Sequence, residues 1–105
     1  MATGSVFDVK TAIDKFRDYR TLQANSSLTI YVPHFASALV TTSRSSDAHS
    51  TLVFVASNSF AILKSTTAIS YGMASSTLTV TNSATNSVQV SILNITDTNL
   101  VTFNN

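Results

Sequence analysis

From residue 22 to residue 103 the chain alternates Ser, Thr and Asn with Val, Ile, Leu and Phe, and no other feature constrains its fold as tightly. A period of two puts successive side chains on opposite faces of an extended strand, so one face can be buried and the other solvated. SLTIYVP (27–33) sets Leu28, Ile30 and Val32 against Ser27, Thr29 and Tyr31, with Pro33 ending the ladder or marking an edge. FASALVTT (35–42), TLVFVAS (51–57), FAILKS (60–65), AISYGM (68–73), STLTVTN (76–82), SVQVSILNI (87–95) and LVTF (100–103) follow. About eight short strands, broken by polar turn clusters and without helical patterning between them, predict an all-β, antiparallel β-sandwich or jelly-roll-like domain. Its expected interior contains Leu28, Ile30, Val53, Val55, Leu78, Val80, Val90 and Ile92. With Gly4 and Gly72 the only glycines, the turns must rely on Ser, Asn and Asp, which tolerate left-handed backbone.

The alternation is uneven. STLTVTN is apolar on one face only, whereas TLVFVA and FAIL are apolar on both. A chain of 105 residues has room for one domain and one core, so the second apolar face of these strands is covered by another subunit or produced by a bulge that shifts the phase.

Ahead of this region the pattern differs. Residues 8–20 hold seven of the eleven charged side chains, and Val6, Val9, Ile13 and Phe16 recur at spacings of three, four and three. That stripe predicts a helix over residues 6–20, with Ser5 as cap and Asp8 in the first turn, where the helix dipole favours an acid. It packs on its own domain or forms a short coiled-coil neck between copies. Two heptads are too few to hold a coiled coil unaided, so a neck needs the following domain to associate as well. The expected organisation is a helix or neck over residues 1–21 and a β head over residues 22–105.

Composition excludes several function classes. A net charge of +1 supplies no basic face for nucleic acid. LVFVA at 52–56 is far too short to insert in a membrane, and residues 1–20 lack the apolar centre of a signal peptide. Without cysteine there is neither a disulfide framework nor a thiolate metal site. No glycine-rich loop is present to cradle a phosphate, so no nucleotide cofactor is expected. His34, His49 and Asp47 show no metal-ligand spacing, and Asp47 and Asp97 are the only carboxylates after residue 20, which leaves no acidic pair for glycosidase chemistry. The reading is therefore non-enzymatic, with neither metal nor cofactor.

What remains is a polar, nearly neutral surface of hydroxyls and amides, suited to sugars and other neutral ligands. Tyr19, Tyr31 and Tyr71 are candidates for a ring on which a sugar stacks. In the loop SRSSDAHS (43–50), Arg44, Asp47 and His49 offer charge-assisted hydrogen bonds to a polar ligand. The candidate ligand-binding residues are Arg44, Asp47, His49 and Tyr71, and the candidate oligomer interface is Val6, Val9, Ile13 and Phe16.

A charged lead-in, then TLQANSSLTIYVP (21–33), then STLTVTNSATNSVQVSILNI (76–95) resembles the small carboxy-terminal head domains of tail-fibre and baseplate receptor-binding proteins from phages and prophages, over residues 22–103. The resemblance implies a trimeric head on a virion, outside the cell, that recognises a bacterial surface glycan or protein. It carries over no binding residue. A structural virion component without a ligand, or a lectin- or adhesin-type carbohydrate-binding module, shares the same features.

Overall fold

The computed structural model describes residues 17–43, 50–57, 59–96 and 99–104. They build nine strands: β1 (Arg17–Leu22), β2 (Ser26–Tyr31), β3 (Ser37–Ser43), β4 (Ser50–Ala56), β5 (Ser59–Lys64), β6 (Ile69–Ala74), β7 (Thr77–Asn82), β8 (Val88–Asn94) and β9 (Thr102–Phe103). Two antiparallel sheets result, one ordered β1-β8-β3-β4-β5 and the other β6-β7-β2-β9. The eight alternating segments of the sequence become β2 to β9.

One apolar cluster lies between the sheets. Val40, Val53, Val55, Val90 and Ile92 come from the five-stranded sheet and Ile30, Leu78 and Val80 from the four-stranded one, each fully buried. All eight side chains expected in the interior are there. Burying each such side chain contributes about 1.5–3 kcal/mol.

The predicted helix fares differently. Its residues 6–16, with Val6, Val9, Ile13 and Phe16, lie outside the described residues. Where it was expected to end, Arg17–Arg20, the chain is instead extended in β1, paired with β8 from Arg17↔Leu93 to Leu22↔Val88. Tyr19 and Thr21 suit a strand, the ladder with β8 satisfies the backbone, and only Leu22 of β1 is buried, so the strand leaves no alternating signature. Its charges suit an edge strand, where they deter further pairing.

A bulge accounts for part of the uneven alternation. The β4–β5 register moves from Val53↔Ile62 to Leu52↔Lys64, so Leu63 is the extra residue and FAIL changes phase within the strand. In β4, by contrast, the alternation is regular: Val53 and Val55 face the interior while Leu52 and Phe54 stand half-buried on the outer face.

Two asparagines hold the points where the chain changes sheet. Buried Asn82, at the end of β7, donates one Nδ2 hydrogen to Asn86 O at 2.9 Å and shares the other between the carbonyls of Leu22 and Gln23 at 3.4 and 3.3 Å, while its Oδ1 accepts from Ala84 N–H at 3.0 Å. It ties the β1–β2 turn to the β7–β8 loop. Asn94 does the same between β8 and β9, donating to Val101 O at 3.0 Å and accepting from Val101 N–H at 2.7 Å. The turns use the residue types expected of a glycine-poor chain: Asn25, Ser57, Ser75 and Asn99 all have positive φ.

Candidate ligand-binding recess

The register of the five-stranded sheet sets Arg17, Leu93 and Leu39 in one row across β1, β8 and β3, and Tyr19, Ser91 and Thr41 in the next. Because Ile92 and Val40 face the core, alternation turns all six of these side chains to the outer face. They line a recess of about 580 Å³, with Asp18 at its margin. This volume falls within the range of about 300–1,000 Å³ typical of small-ligand sites.

Its chemistry is mixed. Leu39 and Leu93 give an aliphatic floor, Thr41 and Ser91 give hydroxyls able to donate or accept, and Arg17 gives a planar cation with five donors. Tyr19 is 61% exposed, presenting a ring with one polar tip. Asp18 is held in place: its Oδ1 accepts from the Arg20 guanidinium at 2.8 Å and from the Tyr19 backbone N–H at 2.8 Å. Arg20 itself lies 4.9 Å above the centre of the Phe103 ring and also donates to the Tyr19 carbonyl. The backbone on both sides of Tyr19 is thus pinned by charge-assisted bonds, which fixes the point on β1 from which the exposed ring projects.

A second exposed aromatic lies in the β2–β3 loop, just ahead of the strand that carries Leu39 and Thr41. Phe35 is 84% exposed and its φ of 65° is left-handed, a conformation that bulky residues rarely adopt. Local bonds hold it there. Phe35 N–H donates to Ser57 Oγ at 3.1 Å, Ser57 N–H to Ala36 O at 3.2 Å, and Ala36 N–H to Pro33 O at 3.2 Å. A strained backbone that presents an apolar ring to water is the kind of cost that accompanies function. The stretch Pro33-His34-Phe35, a short break between two alternating strands, was the signal available for it in the sequence.

Arg44, Asp47 and His49 lie outside the described residues; Ser43 and Ser50, which flank their loop, pair with each other at the opposite end of the sheet from Arg17. Tyr71, on β6, points inward and packs against the core, and its hydroxyl bonds to the buried Thr51 and Thr42. Only a part of its ring is open to a ligand. Tyr31 is on the outer face of the four-stranded sheet. Among the described residues, no three His, Asp or Glu side chains come together as a metal site would require.

No family model matches the chain, and no curated relative matches it. Among solved structures the fold is similar to part of the tailspike protein gp49 of Acinetobacter baumannii bacteriophage Fri1, described as a capsular polysaccharide depolymerase, with a TM-score of 0.60 and 15% sequence identity. The match covers 83% of this chain and 19% of that one, so the chain spans about a fifth of the tailspike's length. At this identity the likeness is one of fold: two antiparallel sheets of this kind occur within a phage tailspike.

Proposed function

We propose that the chain is a non-enzymatic recognition domain of a phage or prophage tail protein, carried on the virion, that binds a bacterial surface glycan. The observation that carries this reading is the outer-face recess, where an exposed tyrosine, an arginine and two hydroxyls surround a small aliphatic floor. A sugar has both an apolar face to lay on a ring and a rim of hydroxyls to pair, and it has no charge to be desolvated. The fold likeness to a tailspike described as acting on capsular polysaccharide supports the same ligand class. That protein is an enzyme; for this chain, with five aspartates, no glutamate and no acidic pair after residue 20, we propose binding without cleavage.

In this proposal Tyr19 and Phe35 stack on the ligand, and Arg17, Thr41 and Ser91 supply its hydrogen bonds. Arg44, Asp47 and His49 supply a second contact to the ligand. The head works as a trimer joined through Val6, Val9, Ile13 and Phe16, with Leu52 and Phe54 covered by a neighbouring subunit and the recess left open at the β1 margin. Calorimetric titration of the chain with purified bacterial surface polysaccharides tests the reading. At least one should bind, and Tyr19→Ala should weaken it tenfold or more, about 1.4 kcal/mol. A well-folded chain that binds neither glycan nor bacterial surface would leave a structural virion component, the reading favoured by the apolar Leu52 and Phe54.

A further inference from the structure

The two sheets have four edges, and three are blunted against further pairing. β1 carries Arg17, Asp18 and Arg20, β5 carries the Leu63 bulge and Lys64, and β9 is only two residues long. The fourth edge, β6, has none of these devices. Its sequence ISYGMA is uncharged and free of proline, runs for six residues, and among the described residues pairs only with β7, from Ile69↔Asn82 to Ala74↔Thr77.

Gly72, in the middle of β6, adds an independent observation. Its φ is not positive, and a Cβ placed on it would meet, among the described residues and apart from its two chain neighbours, no atom within 4 Å. Neither the backbone conformation nor the packing of the described residues requires a glycine there, although glycine weakens a strand interior. A glycine so placed leaves room for something from outside the protomer.

We infer that β6 pairs antiparallel with β6 of a second copy across a two-fold axis near Gly72, joining two four-stranded sheets into one of eight strands; because a three-fold trimer contains no such axis, the second copy belongs to another trimer. The chemistry of the strand selects a second copy as the occupant. About this axis Gly72 meets itself while Tyr71 meets Met73 and Ser70 meets Ala74, and since β6 holds no charged residue the pairing leaves no charge repelled or unpaired. Its alternation is also self-complementary. With Gly72 opposite Gly72, Tyr71 stands opposite Met73 of the second copy on the inner face, extending both apolar interiors, while Ser70 and Ala74 meet on the outer face. Residues directly opposed in such a pair have Cα atoms about 4.5–5.5 Å apart, within disulfide reach.

Because the chain has no cysteine, Gly72→Cys introduces a single thiol at a site with open space around it. Mild oxidation of the full chain should convert most of the Gly72→Cys protein to a covalent dimer, while Thr79→Cys on the neighbouring strand β7 should not cross-link. Gly72→Lys should halve the mass of the wild-type assembly at equal concentration in sedimentation equilibrium. Three results would overturn the inference: no cross-link at position 72 together with a mass unchanged by Gly72→Lys; a wild-type mass that grows without limit with concentration, which means open-ended stacking; or loss of polysaccharide binding in Gly72→Lys without a change in mass, which would assign the space above Gly72 to a ligand.

Discussion

The two sheets share one interior but turn very different faces to the outside. On the five-stranded sheet the outward row across β1, β8, β3, β4 and β5 reads Arg17, Leu93, Leu39, Phe54 and Ala61, and Leu93 is 46% exposed. On the four-stranded sheet the outward rows read Ser70, Thr81, Ser27 and Gly72, Thr79, Thr29. Hydroxyls there pair across the strands, Ser27 with Thr81 at 2.9 Å, and Asn104 Nδ2 donates to Thr29 Oγ1 at 3.0 Å. One face already satisfies many of its polar groups within the chain and offers little apolar area. The other keeps apolar area and unevenly spaced polar groups at the surface, the combination that marks a contact site. Position on a sheet alone therefore does not decide what an outward strand residue does; the row it joins does.

The largest expected effect lies in the interior that both faces depend on. Val90→Asp puts an unpaired charge between the sheets at a cost of several kcal/mol, and circular dichroism should show the strand signal already lost at 25 °C with no cooperative transition on heating. A folded Val90→Asp protein would mean that the sheets do not share one core.

Next comes the corner. Asn82→Leu leaves three carbonyls without their donor and should cost about 1–3 kcal/mol in denaturant unfolding, because a buried acceptor left unpaired loses its full desolvation cost. An unchanged midpoint would show that water replaces the amide and that the β1–β2 and β7–β8 connections are not tied through it.

The smallest effects separate the faces directly. Thr79→Ala, on the hydroxyl face, should change stability by no more than about 0.5 kcal/mol and leave glycan binding unaltered. Leu39→Ser should be similarly mild for stability, since Leu39 is only half-buried, yet should weaken binding by removing part of the recess floor. Equal effects of the two substitutions on binding would erase the distinction between the faces.

Much of this architecture was legible in the chain, and the parts that were not share a physical cause. β2 to β9 and the whole expected interior follow from alternation, because each of those strands has a face that loses water on folding. β1 was hidden because its inner positions Asp18 and Arg20 are uncovered, so burial imposed no pattern on them and the preceding apolar spacing read on as helix. The recess was hidden for a related reason. Tyr19 was among the tyrosines considered, but Leu39, Thr41, Ser91 and Leu93 come from strands some fifty residues apart and meet only through the β3–β8 register. Asn82, inside TLTVTNSATN, looked like one more turn residue; its role depends on carbonyls sixty positions away.

The most direct test of the account is a titration of the isotopically labelled full chain with oligosaccharides from bacterial surface polysaccharides, following backbone amides on both faces by NMR. Shifts should concentrate at Arg17, Tyr19, Thr41, Ser91 and Phe35, with Thr29, Thr79 and Thr81 staying where they are. Shifts confined to Thr29, Thr79, Thr81 and Tyr31 would contradict it, moving recognition to the hydroxyl face of the four-stranded sheet.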